Sequence, residues 1–475
     1  HSIAGTLFEY VQIFVISNGV NTKYFANNAK QSFEQTFFWT NENNQRLTKL
    51  SDFANVFLEK CFVSQLIAEG IVLNQGKKIP MVMRPYQFYA VRAIEKRVEE
   101  SDKNGYIWHT TGSGKTLTSF KVAQNLCNKP EIEKVLFVVD RKDLDTQTVK
   151  EFNAFKDGSV EGTDKTQTLV DQLKDPNRKL TVTTIQKLDR AIKSDRFESQ
   201  FSYLSDKKVI LIFDECHRSQ FGKTHAKIKG FFTKSQMFGF TGTPIFADNH
   251  VDGTTTADVF DQCLHRYIIT HAIADENVLG FAVEYVGKYK KRDADVVEGD
   301  FQAEDDSDDW IKGIHKREIF ESEDRIEKIA KYVVQDWKKK TKKGTFNALF
   351  AISSIDALKK YYTYINQCKP EGMTVATVFT FDPNEEKDWL DADIYGDQEY
   401  PDVQFSRDFL EGCIADYNLQ FGTNFDTTTF DQYYKDLQKR IEEKQIDLTL
   451  VVNMLLTGFN AERLNTLYVD KNLRY

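Results

Sequence analysis

No stretch of the 475 residues stays apolar for the roughly 20 positions that a bilayer-crossing helix needs, so no membrane partner is expected. No Cys-x-x-Cys pair is present either. The six cysteines (Cys61, Cys127, Cys216, Cys263, Cys368, Cys413) are scattered, which excludes a zinc knuckle and the compact framework of a small secreted domain. Reduced thiols in a cytosolic protein are the expectation. No signal peptide is visible, and the chain opens on His1 rather than methionine, so it is expected to be a piece of a longer polypeptide. No repeat of 20 to 50 residues and no coiled coil can be read. Net positive charge is also missing: 63 basic against 71 acidic residues leave −8, which speaks against a protein that coats nucleic acid. A motor needs only one groove of phosphate donors, which acidity elsewhere can hide in the sum.

What remains is a globular composition, 41% hydrophobic and 28% charged. Its length suggests two to four domains at about 100–200 residues each. In residues 1–75, Val11 to Gly19 followed by Lys23 to Asn27 reads as a hairpin at a sheet edge, with Asn18-Gly19 in the turn. From 76 to 275, β-branched runs alternate with helical stretches. The expected strands are Tyr106–His109, Val135–Asp140, Leu180–Ile185, Val209–Asp214 and Met237–Thr241. Each is apolar on both faces, as a helix-covered parallel sheet requires. Residues 276–330 read as a connecting segment, with Asp305, Asp306, Asp308 and Asp309 crowded in a solvated run. A second α/β domain is expected over 331–475, with strands at Ala348–Ile352, Thr374–Phe379, Leu448–Asn453 and Leu467–Asp470.

The strongest chemical signal is His109-Thr110-Thr111-Gly112-Ser113-Gly114-Lys115-Thr116, a glycine-rich turn after a strand and before a helix. Glycines let successive N–H groups face one way, and the helix N-terminus behind them favours phosphate. Lys115 is placed to meet the β- and γ-phosphates of ATP, and the Thr116 hydroxyl to bind Mg2+. About 100 residues on, the apolar strand Val209–Phe213 ends in Asp214-Glu215-Cys216-His217. Asp214 is the expected metal ligand and Glu215 the general base or water-positioning group, strand alternation aiming the two acids differently. Three further strings, Val138 to Lys142, Thr183 to Lys187 and Gly239 to Pro244, lie at the carboxyl ends of expected strands. That is the edge of an α/β sheet where ligands bind. Arg141, Thr183 and Thr184 are the candidate contacts to a DNA backbone.

These blocks, in this order, resemble superfamily 2 helicases. GYIWHTTGSGKTLTSFK, VVDRKDLDTQ, TTIQKL, FDECHRSQFG, FGFTGTPIF and TGFNAERLNTLYVDKNLRY resemble the R (restriction and translocation) subunits of type I restriction-modification enzymes in particular. The resemblance runs through most of the chain. It implies two RecA-like domains, with residues 1–75 the tail of a nuclease domain whose catalytic residues lie before residue 1. It further implies that Gln87 recognises adenine, that His217, Thr241 and Thr243 couple hydrolysis to movement, and that Gly458 sits where the second domain meets nucleotide and DNA. By the same resemblance ATP closes a cleft between the domains and hydrolysis reopens it. The motor would pull duplex DNA while anchored to methyltransferase (M) and specificity (S) subunits in the cytoplasm of a bacterium or archaeon.

Two positions depart from the family pattern. Asn460 stands where an aspartate is usual, and the chain stops at Tyr475, before the expected arginine block. Without an arginine finger, hydrolysis slows on the order of 10³-fold, so this chain alone is expected to bind ATP and hydrolyse it poorly. Two rival readings stand beside the motor. One is an RNA or DNA helicase of the same superfamily, with which Asp214 to His217 is compatible; Thr241-Gly242-Thr243 in place of Ser-Ala-Thr speaks against an RNA helicase. The other is a nucleotide-gated DNA-binding or assembly module.

Overall fold

The structure is a computed structural model and describes residues 10–28, 33–139, 152–153, 155, 166–217, 221–247, 254–286, 322–379, 403–452, 454–456, 459 and 461–471. Residues up to 284 form one compact unit and residues 285–474 another.

The first unit opens with the antiparallel pair β1 (Ile13–Ser17) and β2 (Thr22–Ala26). Asn18 accepts from the backbone N–H of Val20 and Asn21, and Gly19 takes the left-handed φ of 91°. The Asn-Gly turn is thus where it was expected. The pair stands as its own two-stranded sheet rather than at the edge of a larger one. Helices α1 (Leu50–Phe57) and α2 (Lys60–Glu69) follow, then a second hairpin of β3 (Ile71–Asn74) and β4 (Ile79–Val82). This layer packs into the next: Tyr24, Trp39, Phe53 and Leu66 share one core with Ile94, Ile107, Phe120 and Ile210. Full burial of a large apolar side chain contributes about 1.5–3 kcal/mol. Two polar links accompany it, Tyr24 OH donating to the Met83 carbonyl at 2.8 Å and Trp39 Nε1 to Tyr89 OH at 3.1 Å.

Next come α3 (Pro85–Glu100), β5 (Gly105–His109), α4 (Lys115–Cys127), β6 (Lys134–Val139), α5 (Thr166–Lys174), β7 (Leu180–Thr184), α6 (Ile185–Lys193), α7 (Asp195–Phe201) and β8 (Val209–Phe213). The unit continues with α8 (Phe221–Phe231), β9 (Ser235–Thr241), α9 (Thr256–Phe260), β10 (Cys263–Tyr267) and α10 (Ile269–Ala274). The six strands β5 to β10 form one sheet in the order β10-β5-β9-β8-β6-β7. Every pairing in it is parallel. β6 and β8 are buried at every position, the consequence of helices on both faces. Five of these strands were expected, each within two residues at either end. β10 was not.

The second unit carries α11 (Glu323–Lys340), β11 (Asn347–Ile352), α12 (Ile355–Cys368), β12 (Val375–Val378), α13 (Val403–Phe421), α14 (Phe430–Glu442), β13 (Leu448–Val451) and β14 (Leu464–Asp470). Its sheet, ordered β12-β13-β11-β14, is also wholly parallel. The α/β class with two parallel sheets is therefore as expected. At the edge, Asp470 is gripped by both terminal guanidinium nitrogens of Arg325 and accepts from Tyr361 OH. The acidic run at 305–309 lies outside the described residues. Among the described residues no helix is long and apolar enough to cross a membrane.

Candidate functional site

Strand order brings the two main motifs together. β9 lies between β5 and β8, so the glycine turn after β5 and the acids after β8 flank a single strand at the same carboxyl edge. Across it, Lys115 Nζ meets Glu215 Oε1 at 3.2 Å, with only 9% and 17% of these side chains exposed.

The turn is shaped by two glycines at left-handed φ, Gly112 at 79° and Gly114 at 78°. Gly114 caps α4, so that helix's free N–H groups open toward the turn. Lys115 is its first residue and Thr116 its second, half-buried. Thr110 N–H donates to the Tyr267 carbonyl at 2.9 Å and Ser113 Oγ to the Thr110 carbonyl at 2.6 Å, while Thr111 is exposed. From α3, Tyr86 OH donates to the Ser113 carbonyl at 2.7 Å and Gln87 Nε2 to the same oxygen at 3.1 Å. Gln87 Oε1 accepts from Arg84 N–H at 3.0 Å. The glutamine thus braces the turn directly.

His109 does not face the turn. It is fully buried, its Nε2 lies 3.0 Å from His265 Nδ1, and its ring meets Tyr86 edge-on. Burial, then His265 and Lys115, hold it neutral, far below the usual histidine range. Its side chain lies beneath the turn, between Tyr86 and His265.

The acids are aimed by backbone rather than by strand alternation, because β8 ends at Phe213. Glu215 adopts φ 45°, a left-handed conformation that costs a non-glycine residue about 1–2 kcal/mol. That bend directs its carboxylate to Lys115, while Asp214 accepts from the Glu215 N–H at 3.0 Å. Next in the chain, the Cys216 thiol is pushed well up by burial and by the neighbouring Glu215 and Asp214, so it stays protonated. His217 Nδ1 lies 2.9 Å from Thr241 Oγ1 and 3.4 Å from Glu215 Oε2. Thr241 Oγ1 also accepts from Thr243 N–H at 3.0 Å. A continuous polar chain thus runs Lys115, Glu215, His217, Thr241, Thr243.

Other expected contacts are not brought in. Thr183 and Thr184 are 0% and 2% exposed, and the Thr184 hydroxyl accepts from Lys187 N–H to cap α6. Both hydroxyls are thus buried at the end of β7. Arg141, Gly458 and Asn460 lie outside the described residues.

The sequence reading missed Tyr86, His265 and Tyr267. Tyr86 and Tyr267 stack at 3.6 Å with their planes 9° apart, pinning α3 to β10 beneath the turn. The stretch Cys263 to Tyr267 holds one tyrosine and no Phe or Trp, so little local signal marked it. A cavity of about 860 Å³ also adjoins α3, lined by Lys23, Phe37, Phe38, Arg46, Arg84 and Asn277 among others. Arg46 pairs with Asp275 at 3.0 Å and the Arg84 guanidinium lies 4.6 Å over Phe37.

Among the described residues no group of three His, Cys, Asp or Glu converges to hold a metal unaided. Magnesium that travels with a nucleotide needs only one or two protein ligands beside phosphate and water. A lysine, a helix N-terminus and two adjacent acids are a donor set that fits a nucleotide triphosphate with such an ion.

The glycine turn and the acid pair lie in a stretch that resembles an ATPase family. A family model described as SWI2/SNF2 ATPase matches residues 86–318, and one described as domain 3 of the type I restriction enzyme R subunit matches residues 344–475. The type I restriction enzyme SauMRSORF196P endonuclease subunit of Staphylococcus aureus is 44% identical over 99% of this chain and 49% of its own length. The C-terminal part of the putative type I restriction enzyme MpnIIP, an endonuclease polypeptide of Mycoplasma pneumoniae, is 42% identical over 41% of this chain and 99% of its own. The HindI endonuclease subunit of Haemophilus influenzae is 25% identical over 98% and 44%. The chain belongs to the family of type I restriction enzyme endonuclease (R) subunits. It spans about half the length of the Staphylococcus and Haemophilus relatives.

Proposed function

We propose that this chain is the ATP-driven motor of a type I restriction endonuclease, moving double-stranded DNA before it is cut by a nuclease domain elsewhere in the full-length protein. The observation that carries the reading is the Lys115–Glu215 ion pair across β9, continued through His217 to Thr241. On this reading Lys115 exchanges Glu215 for the β- and γ-phosphates of ATP. The carboxylate so released orients the attacking water and accepts its proton. Thr111, Gly112, Gly114 and the first residues of α4 offer backbone N–H groups to the phosphates, and Gln87 ties recognition of adenine to that turn through the Ser113 carbonyl. Thr116 and Asp214 would hold Mg2+, which supplies charge neutralisation on the transferring phosphoryl group. Glu215 and Thr241 share His217, so a change at the acid is felt at the Thr241-Gly242-Thr243 edge; that edge transmits hydrolysis to the grip on DNA.

In the domain scheme that goes with this reading, residues 1–75 are the remnant of the endonuclease domain. Residues 76–275 and 331–475 are the two RecA-like halves, and 276–330 connects them. Duplex DNA and the M and S subunits are the partners, in the cytoplasm. The test is DNA-stimulated ATPase and triplex displacement by the full-length protein assembled with M and S. Lys115→Ala is expected to abolish both, and Glu215→Gln to retain nucleotide binding while stopping turnover. Unchanged ATPase in Lys115→Ala sinks the motor reading; strand separation in place of triplex displacement would favour a helicase.

A further inference from the structure

The last turn of α11 and the turn after it concentrate charge in a chain that is acidic overall. Residues 338–343 read Lys-Lys-Lys-Thr-Lys-Lys. Earlier on the same helix the lysines are neutralised one turn back, Lys328 by Asp324 at 2.5 Å and Lys331 by Glu327 at 2.6 Å. Lys338, Lys339, Lys342 and Lys343 are exposed, and among the described residues none of the four carries an ion pair.

Helix capping accounts for only part of this. Lysines in a last turn complement the helix dipole, which covers Lys338 and Lys339. Lys342 and Lys343 stand beyond the helix end, at left-handed φ of 50° and 61°. Each such conformation costs an L residue about 1–2 kcal/mol that glycine would avoid. The turn is nevertheless built, with Lys343 N–H donating to the Lys338 carbonyl at 2.6 Å and Phe346 N–H to the Thr341 carbonyl at 3.0 Å.

The turn leads directly into β11. Arg463, exposed and just before β14, accepts from Asn347 N–H through its carbonyl at 2.9 Å, which places it beside the same strand start. All this lies at the amino edge of the second parallel sheet, opposite the carboxyl edge where α/β sheets bind their ligands. The nearby acids are few: Glu462 adjoins Arg463, Asp336 lies one turn up α11, Glu443 is shared by Lys439, and Asp447 is held by Lys444.

We propose that Lys338, Lys339, Lys342 and Lys343, with Arg463 beside them, form an auxiliary contact for the phosphate backbone of duplex DNA, separate from the nucleotide site. The chemistry favours a polyanion over a protein face. Lysine ammoniums are point charges suited to phosphate, whereas protein interfaces concentrate aromatic residues and deplete lysine. Such a contact reads no sequence and is strongly salt-dependent. The proposal rests on the motor reading only in taking duplex DNA as the ligand.

The experiment measures binding of a random-sequence duplex to the full-length protein across a salt series. Wild type is compared with the quadruple Lys→Gln variant at 338, 339, 342 and 343 and with the matching quadruple Lys→Arg variant. Loss of four phosphate contacts would flatten the slope of log K against log salt by roughly 3–4. The Lys→Arg variant is expected to keep the slope, and DNA-free ATPase to be unchanged in both. An unchanged slope in the Lys→Gln variant overturns the contact alone. If instead only association with the M and S subunits loses salt sensitivity, a protein partner replaces DNA and the proposal is equally overturned. Absence of salt-dependent duplex binding in wild type would count against the motor reading itself.

Discussion

Replacing Gly114 by alanine tests whether the glycine turn depends on its left-handed backbone and on Gln87 together. At φ 78° an alanine costs about 1–2 kcal/mol relative to glycine. Its methyl would also lie 2.7 Å from Gln87 Nε2, so the amide must withdraw from the Ser113 carbonyl it now reaches at 3.1 Å. One such hydrogen bond has a net worth of about 1 kcal/mol. The sum, about 2–3 kcal/mol, corresponds to roughly 30- to 150-fold weaker nucleotide binding at 1.4 kcal/mol per tenfold. Gly112 is the control: at φ 79° its added methyl meets only Val278 Cγ2 at 3.5 Å, an ordinary contact. Gly112→Ala therefore carries the backbone part alone, roughly 5- to 30-fold. Titration with a fluorescent ATP analogue reads the affinities, and thermal unfolding of the same samples detects strain that appears as lost stability. If Gly114→Ala binds as tightly as the parent at unchanged melting temperature, or if Gly112→Ala is the more damaging, the reasoning fails.

His217→Ala removes the links to Thr241 and Glu215 while leaving the Lys115 pair intact. ATP affinity should hold within about twofold while DNA-stimulated hydrolysis falls roughly tenfold, the scale of one lost functional hydrogen bond. Equal losses in binding and turnover would refute a coupling role. Acid should destabilise the first unit. Burial, aided by His271, lowers His265 to about 4, and burial with Lys229 lowers His225 to about 3. Below the unfolded value near 6.5 the unfolded chain binds protons that the folded one refuses. The stability these two confer is thus complete above pH 6.5 and erodes as pH falls toward 4, by up to about 1.4 kcal/mol per histidine per pH unit. Thermal unfolding between pH 7 and 5 checks it, and a flat melting temperature that is the same in the His265→Asn variant contradicts it.

The glycine turn and the acid pair were legible in the sequence because both are local. A glycine turn between a strand and a helix, and an apolar run closing on two acids, are patterns that short-range geometry produces. The buried strands were equally plain, since Val135 to Val139 and Val209 to Phe213 are covered on both faces and must be apolar throughout. Side-chain direction was not legible. His109 sits in the motif yet points down to His265, 156 positions away. The Thr184 hydroxyl, expected at a DNA backbone, is buried and caps α6. β10 was missed because Cys263 to Tyr267 is an edge strand, only partly buried, and lacks the continuous apolar run of its neighbours.

Residue order alone therefore determined that a glycine turn and an acid pair exist, and on what elements. Periodicity and glycine placement act over a few residues, and composition cannot hide them. Only the folded chain decided that these elements meet. Placing β9 between β5 and β8 sets the gap that lets an ammonium reach a carboxylate about 100 positions along the chain. The left-handed bend at Glu215 then aims that carboxylate. Both depend on which strand pairs with which and on a single backbone dihedral, quantities that no local pattern encodes.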